Sequence, residues 1–400
     1  MATGTSGAVS KTFDNVDLVI VGAGFFGLTI AECATRELGL RVLVVEKRDH
    51  IGGNAHSRID PDTGDEVHVY GSHIFHTNSE EVWHYSRRFT EFTAYRHHVF
   101  TRHAGRVFSM PITFGTICEF FGRAFTPDEA RALLSGQALE LANRVPENLE
   151  EKAISLIGRP LYEAFIRGYT AKQWQTDPRD LPADTITRLP VRYTFDACYF
   201  ADSWQGLPAR GYFRLFERMA ANPLIRIATN TDFFAIRDRL PRVPLIYSGP
   251  IDRYFDYRLG HLGWRTLDFE REVVQTRDFQ GTAVMNYADA EVPFTRIHEF
   301  RHLHPERRAE AARTVIFREY SRRAGLNDEP YYPINTAADR RMYDGYRALA
   351  AAEPNVIFGG RLGSYRYLDM HQAIGAALKV FAREIGPHIR DHKPITPRMK

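Results

Sequence analysis

Two short runs near the start of the chain, Leu18–Val21 and Val42–Val45, consist of apolar residues only. Such runs without polar alternation are typical of strands that are buried on both faces of a parallel sheet. A glycine-rich turn and a helical pattern extending to about Leu38 lie between them, and Gly39 is a suitable stop signal for that helix. The pattern therefore predicts a β-α-β unit at the start of the fold.

The pattern changes after this unit. Residues 92–112 alternate between apolar and polar positions about Ala104-Gly105, which predicts a β-hairpin. Residues 113–184 have a helical pattern, with helix-start signals at Thr126 and Asn148. Aromatic and β-branched residues then dominate four segments that predict a mostly antiparallel sheet, namely residues 191–201, 269–287, 294–302 and 313–320.

Two late segments resemble the opening strand and its glycine turn. Residues 243–247 lead into Ser248-Gly249-Pro250, and residues 356–358 lead into Gly359-Gly360. A helix is predicted to follow the second of them, over residues 371–384. The parallel sheet that begins at the start of the chain is therefore predicted to be completed near its end.

Composition excludes several classes of protein. The 400 residues carry 52 basic and 49 acidic side chains in a mixed order, which does not suit a dedicated nucleic-acid binder. Three widely spaced cysteines form no disulfide or metal motif, so a reducing compartment is expected. Residues 1–13 look like a leader without a secretory apolar core, and the longest uncharged apolar-rich run, residues 18–31, is too short to cross a membrane. We therefore expect a cytoplasmic protein.

The turn after the first strand has the pattern G-x-G-x-x-G, formed by Gly22, Gly24 and Gly27. In a β-α-β unit these glycines permit the tight turn, the approach of a diphosphate to the backbone, and close packing of helix on strand. Glu46 ends the second strand, 19 residues beyond Gly27, where a carboxylate can accept hydrogen bonds from a ribose. The unit is therefore predicted to bind a dinucleotide.

A glycine pair, Gly52-Gly53, follows Glu46 after five residues. This spacing resembles the motif of the large FAD-binding family that includes glutathione reductase-like and amine oxidase-like flavoproteins, in which a late glycine-ended strand and a helix close over the flavin. Gly359, Gly360 and Arg361 fit that late position. The resemblance implies FAD as the cofactor.

The expected fold class is α/β, with a discontinuous Rossmann-like FAD-binding domain, an inserted helical domain and an inserted mainly antiparallel β-sheet domain. The FAD-binding domain is expected over residues 14–91, 216–262 and 350–390. The helical domain is expected over residues 113–190, with a mobile loop at 175–188. The sheet domain is expected over residues 92–112, 191–215 and 263–349.

Outside these motifs, His73 and His76 lie three residues apart without an evident carboxylate or third ligand, so we assign no metal. Several short strings combine arginine with tyrosine or tryptophan, which suits phosphate oxygens and a planar base. Their spacing does not show that they converge, and each could instead belong to the surface or the core. They are residues 167–174, 188–193, 286–287, 293–296, 331–333 and 365–369.

Longer strings make the chain resemble the bacterial UDP-galactopyranose mutase family over residues 14–390, nearest its actinobacterial members. They are GFFGLTIAE, IGGNA, GSHIFHT, EEKAISLIGRPLYEAFIRGYTAKQWQTDP, TRLPVRYTFD, GTAVMNY, FTRIHEFRH, EPYYPIN and FGGRLGSYRYLDMH. The resemblance implies interconversion of UDP-galactopyranose and UDP-galactofuranose, an isomerase reaction that supplies galactofuranose for cell-surface glycans. It also implies a homodimer, while the mixed charge pattern already argues against a nucleic-acid partner.

In this family FAD acts in its reduced form without net redox change. Its N5 atom attacks the anomeric carbon of the sugar and displaces UDP, and a flavin–sugar iminium permits ring opening and reclosure at the other ring size. The resemblance implies that Arg188, on the mobile loop, and Arg296 are essential for catalysis, since they bind the diphosphate and stabilise its charge. It also implies that His73 lies near N5 and the sugar.

The remaining expected roles follow from the same resemblance. The cofactor is expected to contact Gly22, Gly24, Phe25, Phe26, Gly27, Glu46, Lys47, Gly53, Asn54, His73, Ile74, Arg361, Tyr367, Leu368, Asp369 and Met370. The substrate is expected to contact Phe165, Tyr169, Thr170, Trp174, Arg188, Tyr199, Asn286, Arg296, Tyr332, Arg361 and Tyr367, with Tyr199 on a strand.

Two alternatives stay open at this point. A flavin oxidoreductase related to amine oxidases or desaturases would share the FAD motifs and would oxidise an acceptor. A nucleotide-sugar-binding protein without chemistry would share the binding residues and could lack flavin.

Overall fold

The computed structural model describes residue 13 and residues 15–141, 144–186, 191–307 and 312–395. The described strands, in chain order, are β1 Leu18–Val21, β2 Val42–Val45, β3 Ser57–Ile59, β4 Glu66–His68, β5 Phe75–Thr77, β6 Val99–His103, β7 Arg106–Met110, β8 Ile112–Thr113, β9 Val191–Arg192, β10 Trp204–Gly206, β11 Ile225–Ala228, β12 Leu245–Tyr247, β13 Trp264–Val274, β14 Val284–Tyr287, β15 Arg296–Glu299, β16 Thr314–Arg323, β17 Tyr332–Pro333 and β18 Val356–Phe358.

The described α-helices are α1 Phe25–Leu38, α2 Glu80–Arg87, α3 Phe114–Phe121, α4 Pro127–Ala138, α5 Leu149–Ile157, α6 Arg159–Leu161, α7 Gly168–Trp174, α8 Tyr212–Met219, α9 Phe233–Ile236, α10 Ile251–Tyr254, α11 Ala337–Ala351, α12 Gly360–Gly363, α13 Met370–Val380 and α14 Gly386–Asp391. Two π-helical turns continue the helices before them, Tyr162–Arg167 after α6 and Phe381–Ile385 after α13.

The opening apolar runs form the centre of a parallel five-stranded sheet, in the order β11-β2-β1-β12-β18. Side chains alternate between its faces: Leu18 and Ile20 join a core that includes helices α1 and α13, whereas Val19 joins the opposite core with Tyr346 of α11. Because both faces of the sheet are buried, every residue of β1 is apolar. The Rossmann-like α/β fold class predicted from the sequence is confirmed.

A second sheet has seven strands in the order β17-β13-β16-β15-β14-β6-β7. Its neighbouring strands are antiparallel except for β14 and β6, which are parallel. Strand β15 lies between β14 and β16, and its first residue, Arg296, is in register with Asn286 on one side and Glu319 on the other. This register places three polar residues side by side.

The segment from α3 to α7 is helical, as predicted, and has its own apolar core that includes Ile117, Leu134 and Ile157. Helix α4 begins with a capping box between Thr126 and Glu129. The side chain of Asn148 accepts a hydrogen bond from the backbone N–H of Glu151 at the start of α5. These local start signals were readable in the sequence because each involves residues three positions apart.

The prediction of a sheet segment over residues 191–201, with Tyr199 on a strand, is wrong. Strand β9 ends at Arg192 and pairs in parallel with β8. Beyond it, a carboxylate oxygen of Asp196 accepts the N–H of Cys198 at 3.0 Å, and Arg192 donates to the carbonyl of Cys198. Side-chain bonds to the local backbone thus replace a strand ladder.

The division into three domains stays a prediction. Strand β10, in the range expected for the sheet domain, pairs with β5, outside the seven-stranded sheet. Helix α11, also in that range, adds Tyr346 and Ala350 to the core on one face of the parallel sheet. None of the helices in the described residues is long and apolar enough to cross a membrane.

Candidate active site

A cleft of about 310 Å³ opens at the carboxyl ends of the parallel strands, where ligands bind in open α/β folds. Gly22 turns the chain out of β1 with φ +100°, a conformation that favours glycine. A Cβ atom at Gly53 would lie 3.2 Å from the Cα atom of Gly24, so the two glycine segments approach each other closely. The cleft thus has two backbone segments without side chains, which suits a diphosphate.

Glu46 lies at one side of this cleft and is buried. One carboxylate oxygen accepts the backbone N–H of Ala23 at 2.8 Å, and the other accepts that of Arg48 at 3.0 Å. These bonds fix the carboxylate beside the glycine turn. Its remaining lone pairs can accept the hydroxyl groups of a ribose.

Most of the residues predicted to contact the cofactor line the cleft: Gly22, Gly24, Phe25, Phe26, Glu46, Lys47, Gly53, Asn54, His73, Arg361, Leu368 and Met370. Gly27, Ile74, Tyr367 and Asp369 are absent from its described lining. Gly27 instead packs where a side chain would collide with the carbonyl of Gly22, and Ile74 belongs to the apolar core.

Sequence reasoning missed an ion-pair group in the same cleft. Lys47 and Arg48 lie 3.0 and 2.6 Å from the carboxylate of Glu329, which comes from the loop before β17. The Nη1 atom of Arg48 is buried without a hydrogen-bond partner among the described residues. The basic pair Lys47-Arg48 was visible in the sequence, but its distant acidic partner was not.

His73 lines the cleft with a fixed tautomer. Its Nδ1 atom lies 2.7 Å from the carbonyl oxygen of Gly71, which can only accept, so Nδ1 carries the proton. Burial, assisted by the charge of Arg361, lowers the pKa of His73 to about 4. The ring is therefore neutral near pH 7, and its Nε2 atom has a free lone pair.

A second group of residues surrounds Arg296. Its guanidinium donates to the hydroxyl of Tyr169 on α7, and its Nε atom lies 3.2 Å from the carboxylate of Glu319. The cross-strand neighbour Asn286 has a buried Oδ1 atom without a hydrogen-bond partner among the described residues. The structure thus brings together Tyr169, Asn286 and Arg296, three of the residues expected to contact the substrate.

Glu319 was not predicted as a site residue. Burial would raise its pKa, but attraction to Arg296 and a hydrogen bond with His298 outweigh that effect and lower the pKa to about 2. Its carboxylate also accepts the hydroxyl of Thr295 at 3.0 Å. His298 in turn lies 2.8 Å from the hydroxyl of Ser72, next to His73. A buried polar chain therefore joins Arg296 to the edge of the cleft.

Three tyrosines extend this group towards the cleft. The ring centroids of Tyr332 and Tyr367 are 5.5 Å apart, and the guanidinium of Arg361 lies 4.8 Å from the centroid of Tyr367. Tyr199 lies near Tyr367, because its ionised form would contribute to the raised pKa of Tyr367. Because Arg361 also lines the cleft, it connects the two groups of residues.

Other predicted substrate residues lie elsewhere or are not described. Phe165 is buried in the helical core, with ring centroids 5.0 Å from Phe108 and 5.4 Å from Phe120. Thr170 is buried on α7, and Trp174 at the end of that helix is half-buried. Arg188 lies outside the described residues, together with the last part of the predicted mobile loop.

Two protein-family models match this chain. The fold and the glycine cleft are those of a nucleotide-binding protein, and residues 20–89 match the family model of the NAD(P)-binding Rossmann-like domain. Residues 164–367 match the family model of UDP-galactopyranose mutase. The chain belongs to the UDP-galactopyranose mutase family.

Individual relatives span almost the whole chain. A Klebsiella pneumoniae protein named "Probable UDP-galactopyranose mutase" is 45% identical, over 92% of this chain and 94% of its own. An Escherichia coli "dTDP-fucopyranose mutase" is 36% identical, over 90% of this chain and 96% of its own. A crystal structure of reduced UDP-galactopyranose mutase superimposes on 94% of this chain and 96% of its own, with a TM-score of 0.70 and 15% sequence identity. This match supports the fold.

Proposed function

We propose that the protein is an isomerase that interconverts UDP-galactopyranose and UDP-galactofuranose, with reduced FAD as its cofactor. The observation that carries this proposal is the 45% identity with a probable mutase of that substrate across 92% of the chain. The position of Arg361, between the glycine cleft and the Arg296 group, supports it, because one reaction can then involve ligands in both.

The residues of the cleft fit FAD. Because Gly24 and Gly53 carry no side chains, a diphosphate could contact the backbone at both positions. A Cβ atom at either position would narrow the space between them. Glu46 would hold the adenosine ribose, and His73, Arg361, Leu368 and Met370 would line the flavin end. The chemistry that reduced FAD supplies when bound is a nucleophilic ring nitrogen.

The residues around Arg296 would bind the sugar nucleotide. Arg296 is a permanent cation whose fork can hold two phosphate oxygens, and Tyr169, Tyr199, Tyr332 and Tyr367 offer hydroxyl donors. Burial raises the pKa of Tyr169 to about 12, so its hydroxyl keeps its proton near pH 7. Arg188 would complete the diphosphate site. These groups stabilise the negative charge of the departing diphosphate.

His73 would act as a neutral hydrogen-bond acceptor beside the flavin end of the cleft. Its Nδ1–H group is held by Gly71, so the ring cannot rotate without losing that bond. We expect it to position a hydroxyl group rather than to carry a positive charge.

The alternative is a dTDP-fucopyranose mutase, because a protein of that name is 36% identical over 90% of the chain. The test offers the purified flavoprotein each furanose substrate, once oxidised and once reduced with dithionite, and follows the nucleotide sugars by chromatography. We expect UDP-galactofuranose to yield UDP-galactopyranose only after reduction.

Failure of the reduced, FAD-loaded protein to convert either substrate would overturn the proposed mutase activity. A kcat/KM at least tenfold higher for dTDP-fucofuranose would keep the reaction class and reassign the substrate. Net oxidation of a substrate would favour a flavin oxidoreductase, and a flavin-free protein that binds UDP would favour a binding protein.

A further inference from the structure

Three side chains that could bind a metal ion meet beside the proposed substrate tyrosines. They are His76 on β5, Asp369 at the start of α13, and His371 within the first turn of that helix. One ligand atom of each lies within 4.8 Å of the others. No third ligand was evident beside His73 and His76 in the sequence, but the fold brings Asp369 and His371 to His76.

The His76 ring is already oriented as a ligand. Its Nδ1 atom lies 2.7 Å from a carboxylate oxygen of Asp202, and the other oxygen of Asp202 accepts the side-chain N–H of Asn78 at 2.6 Å. With the proton on Nδ1, the Nε2 atom of His76 presents a lone pair. Metal-binding histidines usually donate their other N–H to a carboxylate in this way.

His371 has a nitrogen atom that nothing else uses. Its Nδ1 atom is buried and has no hydrogen-bond partner among the described residues. The centroids of the His371 and His76 rings are 4.9 Å apart. A buried nitrogen without a partner is costly unless a ligand or water satisfies it.

Asp369 completes the group. Its carboxylate accepts the backbone N–H of Gln372, which caps α13, and interacts with the hydroxyl of Tyr367. A carboxylate offers about four lone-pair positions, so these two bonds leave capacity for a third partner.

We propose that His76, Asp369 and His371 bind one divalent transition-metal ion of the zinc class. Two imidazoles with one carboxylate form a ligand set for such ions, and three protein ligands leave a position for water or an anion. Two nitrogen ligands disfavour Mg²⁺ and Ca²⁺, which prefer oxygen. The site does not depend on the proposed mutase activity, although it adjoins Tyr367.

The test titrates Zn²⁺ into the purified flavoprotein in competition with a chromophoric chelator. We expect one ion per chain with micromolar or tighter affinity, and at least a tenfold loss of affinity in His371→Ala. His84→Ala is the matched control, because His84 is an exposed histidine beside Glu80 on α2. It should bind Zn²⁺ like the wild type.

Flavin absorbance and circular dichroism report whether each variant is folded. If His371→Ala does not fold, Asp202→Asn replaces it, and the weakened support of His76 should lower Zn²⁺ affinity about 10–100-fold. Zn²⁺ binding of wild-type affinity in the folded variant, or no saturable binding in the wild type, would overturn the proposal.

Discussion

Arg296 shows how the sheet register prepares a charged side chain for its ligand. Its neighbours across β14 and β16 are Asn286 and Glu319, and Glu319 is itself held by His298 and Thr295. The guanidinium is therefore already positioned for the proposed diphosphate ligand, and binding would require little ordering of this side chain.

The first prediction concerns the shape of this cation. Arg296→Lys keeps the charge but loses the planar fork and the contact with Tyr169, so we expect kcat/KM to fall about 10²–10³-fold with FAD still bound. Steady-state assays of the reduced enzyme measure the change. Arg318→Lys is the control, because Arg318 on β16 pairs with Glu272, which is exposed. Its kcat/KM should be close to that of the wild type. Near-normal activity of Arg296→Lys would remove its proposed role.

The second prediction concerns acid stability. The pKa of Glu319 falls from 4.5 to about 2 on folding, so its ion pair stabilises the protein fully above pH 4.5 and loses that effect as the pH falls towards 2. Glu319→Gln should therefore lower the urea midpoint more at pH 7 than at pH 3.

Glu270→Gln removes an exposed carboxylate from the neighbouring strand β13 and should shift the midpoint little at either pH. An equal effect of Glu319→Gln at both pH values would contradict the assigned pKa.

At the scale of elements, the cleft depends on two turns that meet at glycines. Gly53 combines a φ of +57° with a Cβ position that faces Gly24, whereas Gly39, at the end of α1, has a φ of +64° with open space around it. A side chain at either position would strain the backbone, but only Gly53 lines the cleft.

The third prediction uses this pair. Both Gly53→Ala and Gly39→Ala should lose about 1 kcal/mol or more of stability, because alanine is strained at positive φ. Gly53→Ala should in addition purify with less flavin, measured from the absorbance ratio of flavin to protein. Equal flavin content in the two variants would argue against a diphosphate at Gly53.

Helix α7 is attached to the loop between β14 and β15 by one lysine. The Nζ atom of Lys172 donates to the carbonyl oxygens of Tyr287, Asp289 and Phe294 at 2.7–3.1 Å. Burial lowers the pKa of this lysine to about 8. The bonds hold Tyr169, on the same helix, against Arg296 at the start of β15.

The fourth prediction removes this attachment. Lys172→Met should cost about 1–3 kcal/mol, because three carbonyl groups lose a charged donor, and should raise KM more than it lowers kcat. Urea unfolding and steady-state kinetics measure the two effects. Lys152→Met on α5 is the control for loss of a lysine charge. Unchanged KM in Lys172→Met would show that the loop keeps its position without the lysine.

Across the whole molecule, the features that the sequence predicts correctly depend on residues that are close together in the chain. The apolar run of β1, the stop at Gly39 and the cap at Thr126 each involve a few adjacent positions, so their meaning is local. The pairing of Arg296 with Glu319 depends on strand register, and that of Arg48 with Glu329 on a distant loop. Neither follows from sequence spacing.

Aromatic residues show the same limit. Phe165 lies in a string that carries the family resemblance, yet its ring packs in the helical core because a large apolar side chain gains more from burial there. Tyr199 was expected on a strand, but the polar side chains of Arg192 and Asp196 bond the local backbone. Composition alone does not distinguish these outcomes.

The strand order of the parallel sheet has a consequence for protein synthesis. Strand β1 lies between β2, which the ribosome makes immediately afterwards, and β12, which emerges after the helical segment and much of the chain. A nascent chain therefore exposes an unpaired apolar strand edge for much of translation, a state that favours aggregation and chaperone binding. If a flavin contacts Arg361 and Met370, as proposed, its site stays incomplete until these residues, which follow β18, have been made.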